Sequence, residues 1–234
     1  MKTIFFATIL LATTTYTLHA QDWKKDRSVS GFTGLSVSSG IDLYLTQGNS
    51  EKITLEGKGV DEDRVITEVK NGTLKLYIER KGFGGWNFGR NNYVKAYVTF
   101  KQLSNLQASG GADVFGQGRL TFNDLNLEAS GGSDVKLDLK ADELNVSASG
   151  GADAILQGSA RTLNAHGSGG ADLDARKLTV DVCNASSSGG SDVYVHANQE
   201  LTMKASGGAD IYYSGSAKVL SKSESGGGDI KRRD

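Results

Sequence analysis

The sequence predicts an all-β fold, a right-handed parallel β-helix (solenoid) with coils of about 19 residues, and three observations carry that prediction. A Ser-Gly-Gly motif with an aspartate two residues after it returns seven times. Around each copy, apolar and polar residues alternate at period two and line up from one copy to the next, which is strand and not helix periodicity. The chain of 234 residues contains no proline, a residue that would remove a ladder donor from any inner coil.

The motif aspartates are Asp113, Asp134, Asp153, Asp172, Asp192, Asp210 and Asp229, at steps of 21, 19, 19, 20, 18 and 19 residues. Six residues before the first glycine of each pair stand Leu125, Leu144, Leu163, Cys183, Leu201 and Leu220. Four before it stand Leu127, Val146, Ala165, Ala185 and Met203, and an asparagine column (Asn126, Asn145, Asn164, Asn184) lies between the two, pointing the other way. After the aspartate comes an apolar residue in every copy, from Val114 to Ile230. One such coil has an apolar face only two or three side chains deep and cannot stand alone. Stacking at the strand spacing of ~4.8 Å pairs each backbone with the next and buries the columns as continuous ladders. Right-handedness follows from the preference of parallel crossovers. The glycines serve the bend, where positive φ is wanted and a Cβ would meet the coils above and below.

Both ends depart from this pattern. Lys222 and Glu224 fall in columns that are apolar or small elsewhere, and Arg232 takes the place of Leu137, Leu156, Val195 and Tyr213, so residues 221–234 read as a C-terminal cap or tail. Residues 104–220 carry the regular repeats and 21–103 irregular coils and strands, together one β-helical domain. "FTGLSVSSGIDLYLTQG" from Phe32 overlays the repeat as a degenerate first coil, with Leu35 matching Leu106, Asp42 matching Asp113 and Leu43 matching Val114. "KITLEGK", "TLKLYIE" and "YVKAYVTF" read as strands, with a tight turn at Asn71 and Gly72. Asp61 to Val69 reads as a short helix or a further strand.

The first 20 residues read as a signal peptide: Lys2, an apolar run from Ile4 to Ala12, then small or polar residues up to Ala20. That implies an exported bacterial protein of the periplasm, the cell surface or the medium. No later stretch approaches the roughly 20 apolar residues of a membrane-spanning helix. With 26 basic against 27 acidic residues, the chain has no charge excess to draw nucleic acid. The single cysteine, Cys183, cannot close an intramolecular disulfide, sits in a leucine column and reads as core.

Two groups are candidate sites. Phe83, Trp86, Phe88, Arg90 and Tyr93 gather among glycines in "KGFGGWNFGRNNY". They could stack on sugars or enter lipid, or else cover an open end of the core. Asp113, Asp134, Asp153, Asp172, Asp192 and Asp210 form a carboxylate row that could hold calcium. However, the repeats-in-toxin calcium motif needs G-G-x-G-x-D at a nine-residue period. The favoured reading of the row is therefore hydrogen bonding of each carboxylate to the N–H groups of its own corner. No cofactor is expected. His166 and His196 stand in different coils without a metal-ligand cluster, and no nucleophile motif accompanies the serines.

The segments "SSGIDLYLTQG" and "NGTLKLYI", with the SGGAD-type coils after them, are similar to the bacterial family called putative auto-transporter adhesin, head GIN domain. The resemblance covers roughly residues 32–213, with Gly40-Ile41-Asp42 where the family name suggests a final Asn. It implies a β-helical fold in a bacterial envelope setting and brings no catalytic residues. No membrane-barrel module of alternating strands is evident at the C-terminus, so self-translocation is not expected. The function that follows is a non-enzymatic envelope protein, an adhesin-like binding or structural module for a surface glycan, lipid or protein. The alternatives are a polysaccharide lyase or hydrolase on a β-helix and a calcium-stabilised solenoid. Short corners poor in Lys, Arg and Glu argue against the enzyme.

Overall fold

The computed structural model describes residues 22–79 and 92–233. Their strands form a parallel β-helix whose register is the one the repeat columns dictate. β8 (Asn105–Ala108) and β9 (Asp113–Thr121) make the first regular coil, followed by β10 (Asp124–Gly131) and the long winding strands β11 (Asp134–Gly150), β12 (Asp153–Gly169), β13 (Asp172–Gly189) and β14 (Asp192–Gly207). β15 (Asp210–Ser214), β16 (Lys218–Gly226) and β17 (Asp229–Arg232) finish the stack. Every pairing among these strands is parallel, and Leu125, Leu144, Leu163, Cys183 and Leu201 are direct rung partners. All five are buried, at 0–1% exposure. They belong to a continuous apolar cluster that runs from Phe32 to Ile230.

From Gly131 onward, the first glycine of each corner has positive φ and lies too close to the coil below for a side chain to enter without a shift. Gly169 has φ +75°, and a Cβ on it would lie 3.1 Å from both N and O of Gly150 in the coil below. From Gly151 onward the second glycine of each corner donates its N–H to the first glycine of the preceding one, as Gly170 does to Gly150 O at 2.7 Å and Gly190 to Gly169 O at 2.7 Å. Next in the chain, Ala112, Ala152, Ala171 and Ala209 point inward, and Ser133 and Ser191 replace alanine twice, fully buried. Both hydroxyls are bonded, Ser133 Oγ donating to Ala108 O at 3.2 Å and Ser191 Oγ to Ser188 O at 3.0 Å. Among the described residues no buried side-chain nitrogen or oxygen lacks a partner, as an interior of low dielectric requires.

The N-terminal half belongs to the same ladder in a different order. β2 (Gly34–Val37) and β3 (Ile41–Gln47) are the degenerate coil, with Leu35 opposite Leu106, Asp42 opposite Asp113 and Leu43 opposite Val114. This coil is first in the chain but not in space, because β6 (Thr73–Ile78) and β7 (Tyr93–Phe100) stack outside it. Beyond them the parallel rule ends. β4 (Lys52–Lys58) runs antiparallel to β7, β1 (Trp23–Arg27) antiparallel to β4, and β5 (Val65–Lys70) antiparallel to β6. Residues 61–69 hold both elements the sequence allowed, a 3₁₀ turn over Glu62–Arg64 and then β5. Asn71 (φ 52°) and Gly72 (φ 72°) make the tight turn into β6. Arg27 ties this end together: one guanidinium nitrogen reaches Val65 O, and the other donates to Glu62 O at 3.0 Å.

The far end is a polar cap. Lys222 and Glu224 lie over the buried Met203 and Ala205 and pair with each other at 3.1 Å. Glu224 also accepts the Ile230 N–H at 2.7 Å. Leu220 departs from the expected column: a bulge places Val219 opposite Leu201 and leaves Leu220 52% exposed. With no coil above it, the last rung has no apolar pocket to hold that leucine in register.

Candidate functional site

Each coil turns two differently furnished outer faces to solvent, and register makes every outward residue type a vertical column. On the face formed by β8, β10 and the second halves of β11–β14, the columns are an asparagine ladder and its neighbour two residues on. Asn126 Nδ2 donates to Asn105 Oδ1 at 3.3 Å, Asn145 to Asn126 at 3.0 Å, Asn164 to Asn145 at 2.7 Å and Asn184 to Asn164 at 2.9 Å. Thr202 continues the column beyond Asn184. Asn145 and Asn164 also point an N–H toward Glu143 Oε1, at 3.3 and 3.5 Å.

The neighbouring column is Gln107, Glu128, Ser147, His166, Ser186 and Lys204. Between the two columns runs a trough of about 640 Å³, floored by the backbone at Leu127, Val146, Ala165 and Ala185. A smaller hollow of about 190 Å³ beside Ser36, Thr73 and Gln107 extends it toward the N-terminal end. Six rungs from Asn105 to Thr202 at ~4.8 Å give a length of about 24 Å. Small Ser147 and Ser186 open the wall, whereas long Gln107 and Glu128 close it, bonded to each other at 2.9 Å. His166 Nδ1 lies 2.9 Å from Ser186 Oγ. This groove is the feature that reading the sequence missed. The asparagine column was visible in the repeat, but only the rung geometry shows that it forms a wall.

The other face carries the aspartates and, two residues on, an aromatic column. Asp42, Asp113, Asp134, Asp153, Asp172, Asp192, Asp210 and Asp229 are consecutive rung partners. Hydrogen bonding differs from the own-corner expectation. Backbone donors come from the next coil, Asp134 N–H to Asp113 Oδ1 at 3.3 Å and Asp229 N–H to Asp210 Oδ1 at 3.2 Å. A parallel ladder directs each N–H along the stack, so the carboxylate above or below is the nearer partner. Burial, and then the neighbouring carboxylates, push Asp172 above the usual carboxylate range, and burial does the same for Asp42 and Asp113. Among the described residues no group of three or more His, Cys, Asp or Glu is placed to hold a metal ion.

In the aromatic column Tyr97, Tyr44 and Phe115 stack with centroids 5.0 and 5.4 Å apart, and Tyr194 stacks on Tyr212 at 4.9 Å. Cations close the ends: Lys136 over Phe115 at 5.9 Å, Arg176 over Tyr194 at 4.7 Å and Arg233 over Tyr212 at 3.8 Å. Most ring faces are thus occupied by each other and by cations, while Tyr97 at the end of its stack stays 38% exposed. Of the aromatic candidates, Tyr93 lies on this face at the start of β7, 37% exposed with Lys95 5.1 Å over its ring. Phe83, Trp86, Phe88 and Arg90 lie outside the described residues, as does the signal-peptide segment. Cys183 is buried, which pushes its thiol up to about 12, and it is inert core.

Among the described residues no helix is long and apolar enough to cross a membrane. In solved structures, the chain is similar to a putative adhesin from Bacteroides fragilis, at 26% identity and TM-score 0.82, covering 91% of this chain and 97% of that one. A putative lipid binding protein from Parabacteroides distasonis shares the fold at 19% identity and TM-score 0.68, covering 91% of this chain and 97% of that one. A putative adhesin from Parabacteroides merdae shares it at 17% identity and TM-score 0.71, covering 92% and 97%. Comparison with curated proteins finds no match. The family model described as "Putative auto-transporter adhesin, head GIN domain" matches residues 31–217, and the chain belongs to that family.

Proposed function

We propose that this is an exported, non-enzymatic module of the bacterial envelope whose β-helix presents a binding face to a surface partner. The observation that carries the reading is the trough, a polar groove of about 640 Å³ built from the same two outward positions of successive coils. A groove made by repetition has no unique reacting point. It offers the same few groups at every rung, which suits holding a long partner rather than transforming a small one. Membership of an adhesin-described family supports the reading, and so does the similarity to a solved putative adhesin. Export to the periplasm, the cell surface or the medium rests on the Lys2 to Ala20 leader pattern.

The test is a binding panel of glycans, lipid vesicles and envelope proteins on the purified protein, with reducing-end and unsaturated-sugar assays on every glycan that binds. Saturable binding without product release is the expected result; turnover of any glycan would replace this reading with the lyase or hydrolase one. A Trp86→Ala variant belongs in the panel, because the 81–93 aromatics remain the second proposed contact. If they carry binding, that variant loses it while folding unchanged.

A further inference from the structure

We infer that the trough takes an extended, uncharged, β-linked glycan lying along the stack axis, about one hexose to each coil; this rests on the binding-module reading above. Spacing is the first reason. Hydrogen-bonding groups recur along the trough at the rung distance of ~4.8 Å, close to the rise of one hexose in an extended β-linked chain. An extended peptide rises ~3.3 Å per residue and falls out of step within two rungs. A peptide has no other hold here either, since the floor is the face of a fully paired ladder and offers no strand edge to extend.

Chemistry is the second reason. An amide has two donors and two acceptor sites, and the ladder uses one of each. Asn145 and Asn164 turn their second N–H to Glu143, so they keep acceptor capacity, while Asn126 and Asn184 keep a donor as well. With the hydroxyls of Ser147 and Thr202 and the Ser186–His166 pair this makes a mixed donor–acceptor lining, the complement of sugar hydroxyls. Glu128 and Lys204 stand at opposite ends and balance each other. No cationic row lines the trough to hold an anionic polymer. The lining contains no Phe, Tyr or Trp, and its one ring is the His166 imidazole, so most units are held by hydrogen bonds alone and affinity must come from length.

The experiment is calorimetric titration of the purified protein with β-1,4-linked glucose and N-acetylglucosamine oligomers, from disaccharide to octasaccharide. Polyuronate oligomers, an uncharged extended peptide and vesicles serve as comparators. Affinity is expected to rise with each added unit up to about six, the number of rungs, and then to flatten. Ser147→Trp fills the open wall in mid-trough and should weaken the longest oligomers at least about tenfold. Ser186→Trp should move the plateau to a shorter oligomer, and Ile155→Trp on the other face should change nothing. Melting curves of all three variants show whether each still folds. Affinity independent of length, full affinity in folded Ser147→Trp, or preference for polyuronate or peptide would overturn the inference. If a vesicle or protein binds in a Ser147→Trp-sensitive way and no oligosaccharide does, the glycan inference fails and the binding-module reading stands. If nothing on either panel binds, both fail.

Discussion

Asparagine and aspartate have almost the same shape, and this molecule stacks a column of each, with opposite consequences. The Asn105–Asn184 column is self-complementary: every amide after Asn105 donates to the rung before it, at 2.7 to 3.3 Å. The Asp42–Asp229 column can only accept. Like charges one rung apart repel by roughly 1 kcal/mol even in bulk water; burial first, and the neighbouring carboxylates after it, make Asp42, Asp113 and Asp172 hold their protons above the usual range. One column is a source of rigidity on a flat face. The other is a tolerated cost at a bend, softened by tyrosine hydroxyls such as that of Tyr212, which donates to Asp210 at 2.7 Å. Columns therefore take their meaning from pairing chemistry, not from repetition alone. That is why the groove beside the amides, and not the acid row, is the better candidate for recognition.

Four perturbations separate the two columns, and the largest removes what both stand on. Leu163→Ala empties a fully buried rung position beside Asn164, and should cost about 2–5 kcal/mol in chemical denaturation. Gly169→Ala forces a Cβ into the positive-φ corner against Gly150, with an expected loss of ~2 kcal/mol in the same assay. Asn164→Asp puts a carboxylate into the amide ladder, removing the bond to Asn145 and facing Glu143. At neutral pH it should lose about 1–2 kcal/mol, partly recovered on acidification. The reverse exchange, Asp172→Asn, should stabilise by a few tenths of a kcal/mol after solvent screening.

The pH dependence has the matching sign. A carboxyl whose folded pKa is raised binds its proton more tightly in the native state, so its contribution to stability is lost as pH rises through that window and regained as pH falls toward the ordinary value. Asp42, Asp113 and Asp172 act in this direction. Asp138, held low by its bond to Arg119, and Asp174, held low by Arg176, act in the other. Comparing the Asp172→Asn variant with the parent between pH 7 and pH 4 should show their stability difference shrinking as pH falls. A constant difference would remove the repulsive account of the row.

Much of this architecture was legible from residues alone, because a solenoid repeats each physical constraint. The leucine column, the Gly-Gly corner and the match of Asp42 to Asp113 each recur at one step, and the ladder register follows them. What stayed hidden lacks repetition. The stacking of β6 and β7 outside β2 and β3 is set by chain reversals that occur once. Leu220 left its column because a bulge at an uncovered edge has no sequence signature. The trough stayed hidden for a different reason: its residues are ordinary polar ones, and only the space between two columns makes them a site.

Mapping the bound partner by NMR of the asparagine side-chain amides tests the central claim most directly. Shifts on binding should concentrate on Asn126, Asn145, Asn164 and Asn184 and on the backbone of Ser147 and Ser186. Shifts confined instead to the Tyr44, Tyr97 and Phe115 column, or to residues 81–93, would contradict the assignment of recognition to the amide-lined face.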